Sequence, residues 1–220
     1  MNIHSKQNKI ILAKYIPANS IDLIVEWIYR FNFKLKIKRS RLTKRGDYRA
    51  PLQNKNHQIS VNHDLNEYAF LITLVHEVAH LTTWELHKNK VKPHGEEWKN
   101  EFKVLMQHFM NETIFPADVI LALQNYLKNP AASSCSDLSL LRTLKKYDTK
   151  QEVTFVEDLP LNTLFKIKSE QHFIKGERIR KRYKCKEIKS NKFYLFSPLC
   201  EVILVNIATE NTEKLNLLPA

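Results

Sequence analysis

The sequence predicts an α+β fold, with a helix-rich first part and a small β-rich second part. Three observations carry that prediction. Residues 66–87 are apolar almost all the way round a helix. Two short stretches ahead of them, 31–38 and 57–62, alternate between apolar and polar residues as strands do. After Lys150 helix signals thin out, and β-branched and aromatic runs separated by short turns take over. The boundary is accordingly set between 1–150 and 151–220.

Along the chain, residues 8–30 read as two helical pieces divided near Pro17-Ala18-Asn19-Ser20, with Ser20 available to cap the second. F-N-F-K-L-K-I-K at 31–38 is the first strand, and the R-S-R-L-T-K-R-G-D-Y-R that follows reads as a basic loop. H-Q-I-S-V-N at 57–62 is the second strand. The centre of the 66–87 helix, A-F-L-I-T-L-V-H-E-V-A-H-L, demands burial on most sides. K-N-K-V-K-P-H-G is a loop, and E-E-W-K-N-E-F-K-V-L-M-Q-H-F opens an amphipathic helix. Further helices are predicted at 116–128, behind Pro116, and at 137–146, with Ser136 or Asp137 at the cap. N-P-A-A-S-S between them is a loop. In the second part, F-K-I-K, R-I-R-K-R-Y-K-C-K-E-I, K-F-Y-L-F and E-V-I-L-V-N-I are the expected strands, with a hairpin turn at 190–192.

Composition narrows the classes. Of 220 residues, 43% are hydrophobic, enough for a packed core and too many for global disorder. No apolar run reaches bilayer length, and the N-terminal I-I-L is too short for a secretory signal, so no membrane partner is expected. Cys135, Cys185 and Cys200 are widely spaced and form no CxxC pair, which excludes a disulfide framework and a zinc ribbon. A cytoplasmic protein with reduced thiols is the expectation. The net charge of +12 makes an acidic polymer, above all nucleic acid, a natural counter-surface.

The chemistry concentrates in H-E-V-A-H at 76–80. His76 and His80 stand at i and i+4, so both imidazoles leave one face of the helix and can reach one tetrahedral Zn²⁺. Glu77 between them is placed to take a proton from zinc-bound water and deliver it to a leaving amine. By chance the pattern occurs in on the order of one chain in a hundred of this length. The bland alternative, two satisfied histidines in an apolar helix, leaves three polar groups buried to no purpose.

A catalytic zinc needs a third ligand and an open fourth position. Thr83 and Leu86 stand where an extended H-E-x-x-H-x-x-G-x-x-H would need Gly and His, so the helix need not break and His87 stays remote. Glu96, Glu97 and Glu101 are candidates from the next helix. His94, bracketed by Pro93 and Gly95 in a loop able to fold back across the metal helix, is preferred. For the oxyanion, Tyr48, Tyr68, His57 and His63 are all candidates.

H-E-V-A-H-L, its spacing to P-H-G-E-E-W-K, and the preceding I-S-V-N-H-D-L-N resemble the SprT-like family, relatives of the Spartan DNA–protein crosslink proteases. The resemblance is close from about residue 20 to 110 and is expected to continue through G-E-R-I-R-K-R-Y-K-C and Y-L-F-S-P. It implies that His76, His80 and His94 bind Zn²⁺ and that Glu77 is the general base. It implies a minimal zincin-like metalloprotease core of helices plus a small sheet, here followed by a β-rich C-terminal subdomain lacking zinc-ribbon cysteines. It also implies that the strand I-S-V-N edges the cleft and pairs with an extended substrate.

Two basic stripes are expected to meet nucleic acid, single- or double-stranded DNA. Read with period two, Arg178, Arg180, Arg182, Lys184 and Lys186 fall on one strand face, and Lys34, Lys36 and Lys38 on another. Arg39, Arg41, Lys44, Arg45 and Arg49 extend the second stripe. Tyr183, Phe193 and Tyr194 could stack on bases, but as sheet aromatics they are read as core first. The leading expectation is therefore a zinc metallopeptidase of HExxH type acting on protein or peptide, including DNA-associated or DNA-crosslinked proteins. The alternatives are a nucleic-acid-binding protein with a structural or vestigial zinc site, and a general peptidase with no nucleic-acid partner.

Overall fold

The chain begins with two helices, α1 (Ile3–Leu12) and α2 (Ile21–Arg30), separated by a 3-10 turn at Ala18–Ser20. This computed structural model describes residues 3–41, 43–52, 56–131, 137–148 and 153–205, with side chains from Ser5 onward. Pro17 sets the break as predicted, but Ser20 does not cap α2 with its side chain. Its hydroxyl donates to the Pro17 carbonyl at 2.6 Å, closing the turn instead.

Three strands follow: β1 (Phe33–Lys38), β2 (Gly46–Arg49) and β3 (His57–Asn62). β2 corrects the sequence reading, which took all of this basic stretch for loop. Their order is β1-β3-β2, with β1 parallel and β2 antiparallel to β3. This order corrects a second expectation. β3, the I-S-V-N strand, is central, and both its edges are used by neighbours, so it has none left for a substrate. β2 is the edge strand on the side of the metal helix.

That helix is α3 (Glu67–His87). Asn66 starts it, its Oδ1 accepting from the Ala69 N–H at 2.9 Å. The Asn66 amide also donates to the Leu144 carbonyl, which ties the cap to the last helix of this part. Phe70, Leu71, Ile72, Leu74, Val75 and Val78 are buried all round α3, as its lack of a polar face predicts. Each such side chain contributes roughly 1.5–3 kcal/mol relative to exposure. α4 (Glu96–Gln107), α5 (Ala117–Leu127) and α6 (Leu138–Lys145) complete the helical layer. Glu96 and Glu97 sit in the first turn of α4, where acidic groups suit the helix dipole. Asp137 caps α6 by accepting from the Ser139 and Leu140 N–H groups. Ser136, the other candidate cap, lies outside the described residues.

The chain divides into two compact units, Met1–Thr149 and Lys150–Ala220. The second is one seven-stranded sheet: β4 (Thr154–Phe155), β5 (Leu164–Lys166), β6 (His172–Ile174), β7 (Arg178–Ile179), β8 (Arg182–Glu187), β9 (Phe193–Phe196) and β10 (Glu201–Leu204). Its core is Val156, Leu159, Phe165, Phe173, Cys185 and Val202. R-I-R-K-R-Y-K-C-K-E-I is not one strand. It turns at Arg180, which takes φ 54°, so β7 folds back antiparallel on β8. The turn at 190–192 joins β8 to β9 as predicted, with Asn191 at φ 58°. Gly176 is required by close packing: a Cβ there would stand 2.1 Å from the Lys184 carbonyl oxygen. Among the described residues there is no zinc-ribbon cysteine cluster. Cys185 is buried in this core, Cys200 is half-buried, and neither is in a disulfide. Cys135 lies outside the described residues. No helix among the described residues is long and apolar enough to cross a membrane.

Candidate metal centre

His76 and His80 leave α3 on one face, and the loop before α4 brings His94 back to them. The Nε2 atoms of His80 and His94 are 2.9 Å apart, and those of His94 and His76 are 3.3 Å apart. One ligand nitrogen from each ring lies within 4.8 Å of the others, which makes this a group able to hold a metal ion. Three imidazole nitrogens aimed at one point is the donor set that zinc takes, and it leaves room for a fourth ligand. His94, not Glu96, Glu97 or Glu101, completes the group; Glu96 is turned to Lys99 at 2.8 Å. α3 runs unbroken past Thr83 and Leu86 to His87, which stays outside the group.

The local backbone shows how His94 is delivered. His94 itself occupies the left-handed region at φ 59°, while Gly95 sits in extended geometry as the cap of α4. The sequence placed His94 between Pro93 and Gly95 in a loop able to fold back. The strained residue is the histidine, the kind of backbone tension that concentrates at functional sites.

Electrostatics keep the three rings ready for a cation. Burial, and then repulsion from His80 and His94, holds His76 well below the usual histidine range. Burial and His94 push His80 down to about 3, and burial lowers His94. All three are thus neutral at pH 7, with lone pairs available, as coordination requires. The His76 Nδ1 is buried with no hydrogen-bond partner.

Trp98 forms the floor. It is fully buried, with ring centroids 4.5 Å from His76, 5.3 Å from His80 and 4.7 Å from His94, and Phe102 stacks behind it at 5.3 Å. One indole therefore sets the mutual angles of all three imidazoles. Its place in P-H-G-E-E-W was visible in the sequence, but its role was not.

Glu77 is buried on the β2 side of α3. Burial first, and then the charge of Asp47, raises its carboxyl to about 8, against the opposing pull of Arg41, the Tyr48 N–H and Lys44. The edge strand is built close against it. A Cβ on Gly46 would lie 2.3 Å from Glu77 Oε1 and 2.8 Å from Thr73 Cγ2, so only glycine fits.

Of the oxyanion candidates, Tyr48 and His57 adjoin the centre. The Tyr48 ring lies nearly parallel to His80, at 9° and 6.4 Å between centroids. His57 is 2.8 Å from Glu85 Oε1 through Nε2 and 2.9 Å from the Tyr48 hydroxyl through Nδ1. With Nε2–H donating to the carboxylate, Nδ1 accepts from the tyrosine, and the chain Glu85–His57–Tyr48 pins β2 to α3. Tyr68 packs against Phe115 and Tyr147 instead. His63 is exposed after β3.

The basic stripes are partly rearranged. Lys34, Lys36 and Lys38 alternate with Phe33, Leu35 and Ile37 as expected, and Lys36 donates to Gln58 on the sheet face turned away from α3. Arg41 lies across that face, bonded to Asn62 and Ser60. In the second unit Arg182, Lys184 and Lys186 are exposed on β8. Arg178 does not join them: it pairs with Tyr183 across the hairpin and so points to the other face. Arg180 sits in the turn, its carbonyl accepting from Arg178 Nε. The five-cation face thus reduces to three, because a turn without glycine was invisible to the period-two reading.

Searches of curated proteins and of solved structures found no match. A family model does match, from the start of α2 to the opening of α5, and leaves the second unit outside. The resemblance read from H-E-V-A-H-L and P-H-G-E-E-W-K is borne out as a family-model match: residues 21–119, just under half of the chain, match the SprT-like family.

Proposed function

We propose that the protein is a zinc-dependent metallopeptidase that hydrolyses peptide bonds in proteins on or near nucleic acid. The observation that carries this reading is the convergence of His76, His80 and His94 beside a buried carboxyl, Glu77, raised to about 8. Zinc, when bound by the three imidazoles, supplies a Lewis acid and lowers the pKa of water into the neutral range. Glu77 takes the proton from the attacking water and returns it to the leaving amine. Raised to about 8, the carboxyl is mostly protonated at pH 7 in the empty site, and a cation held by the three imidazoles would favour the ionised form that the first transfer needs. The outer edge of β2 holds the substrate as an added strand, since β3 is paired on both sides. A purely structural zinc would have no use for a buried acid beside it, which favours catalysis over the vestigial reading. The nucleic-acid half of the proposal rests on the charge of +12.

The test is cleavage of casein, and of the chain itself, before and after chelation and with or without single-stranded DNA. Cleavage lost on chelation and restored by zinc is expected. Cleavage that survives complete metal removal ends the reading. Stimulation by DNA supports the nucleic-acid half, and indifference to DNA leaves a general peptidase.

Gly46→Ala gives a sharper check on the contact between β2 and Glu77. The added methyl displaces either the strand or the carboxyl. A displacement of about 1 Å can cost up to about 100-fold in rate. Turnover is expected to fall about 10- to 100-fold with zinc content unchanged, measured by casein kinetics beside metal analysis.

A further inference from the structure

The outer face of the three-stranded sheet, turned away from α3, carries a cavity of about 120 Å³. The registers explain its place. Lys36, Ser60 and Asp47 stand side by side across β1, β3 and β2, with Gln58 beside Arg49 in the next row. Cross-strand partners share a face. Ser60 is the smallest side chain there, so the sheet is pitted above it. Arg41 comes in from the loop after β1 and forms a wall.

The lining gives hydrogen bonds and has almost no acceptor left. Lys36, Lys38, Arg41 and Arg49 bring four cations, and Asp47 is the one acid among the lining residues. Both Asp47 oxygens are taken, Oδ1 by Lys44 at 2.7 Å and Oδ2 by Arg49 at 3.0 Å. Gln58 Oε1 accepts from Lys36, which leaves the amide N–H groups to donate. Ser60 Oγ accepts from Arg41 Nη1 and keeps its own proton to give. Arg41 Nε is bonded to Asn62, but Arg41 Nη2 is buried with no hydrogen-bond partner. A buried donor without an acceptor costs stability, and an anion in the cavity is the acceptor this lining suits.

We propose that this cavity binds inorganic phosphate, and that the bound ion ties β2 to the rest of its sheet. A tetrahedral oxyanion carries acceptors in every direction, which suits donors arriving from three strands and a loop. A carboxylate holds its acceptors in one plane. A phosphodiester has to bring its chain in on one side and out on the other. β2 has the most to gain from such a tie. It is four residues long and pairs with β3 alone, and its Tyr48 is held on the opposite face by the Glu85–His57–Tyr48 chain. Phosphate between Lys36, Arg41 and Arg49 spans all three strands. The site stands whether or not the chain is a peptidase, because neither Glu77 nor any of the three histidines lines it.

Calorimetric titration of the full chain with inorganic phosphate, at constant ionic strength balanced with chloride, is expected to show one saturable site. Lys36→Met with Arg49→Gln takes two charges from the cavity and leaves the buried core alone. Affinity is expected to fall at least about ten-fold, the effect of losing a single hydrogen bond to a charged group. Lys34→Met removes a lysine of the same face that does not line the cavity, and it keeps wild-type affinity. At a phosphate concentration about 100 times Kd, hydrogen exchange of the β2 amides paired with β3 slows by up to about 100-fold. Absence of saturable phosphate binding, an equal loss in Lys34→Met, or β2 exchange unchanged with phosphate bound would each overturn the proposal. So would acetate or phosphoserine binding more tightly than free phosphate, or oligo-dT losing as much affinity as phosphate in the double variant.

Discussion

Glu77→Gln is expected to lower kcat for protein cleavage by about 10²–10⁴-fold while zinc content stays at the wild-type level. Glutamine has nearly the same shape, and its carbonyl oxygen can still accept from the Tyr48 N–H that touches Glu77. It cannot take a proton from water or return one. The three histidines do not depend on the carboxyl, so the metal remains. Folding should not suffer either. Burial makes a charge at this position costly, as the rise of the carboxyl to about 8 shows, and a neutral amide avoids that cost. The measurement is casein turnover, metal analysis and a melting curve on the same preparation. Loss of activity accompanied by loss of zinc would mean that Glu77 supports the metal and not the proton transfer. Unchanged turnover would remove Glu77 from the chemistry.

The contrast between what the residues announced and what they hid follows the range of the interactions. α3 was legible because burial on every side leaves an uninterrupted apolar run, and the i, i+4 histidines inherit their common face from helix geometry alone. β1 was legible because Lys34, Lys36 and Lys38 alternate with apolar partners. β2 was not. Four residues, Gly46–Arg49, carry no period to read, and they are strand only because β3 pairs with them. The central place of β3 was hidden for the same reason: strand order is a property of three segments together. The Glu85–His57–Tyr48 chain joins α3, β3 and β2, so no window of sequence contains it. The hairpin at Arg180 escaped because left-handed backbone is expected at glycine or asparagine, and arginine took it.

His94→Ala carries the other large effect, on metal affinity. Altering a residue that merely orients a zinc ligand costs about 10–100-fold in affinity, so removing one of three ligands should cost well over 100-fold. In a competition between protein and a chromogenic chelator, the variant is expected to surrender its zinc at chelator concentrations that leave the wild type loaded. The backbone complicates the comparison, because position 94 holds φ 59°. Alanine there bears about 1–2 kcal/mol of left-handed strain, as the native histidine already does. His94→Gly relieves that strain and His94→Asn tolerates it, yet neither supplies an imidazole. If affinity falls equally in all three variants, the lost ligand is responsible and the bend is not. If glycine restores zinc binding where alanine fails, the role of position 94 is to turn the chain, and His76 and His80 find their third partner elsewhere. Retention of full affinity by all three variants would dismantle the metal centre as drawn and the peptidase proposal with it.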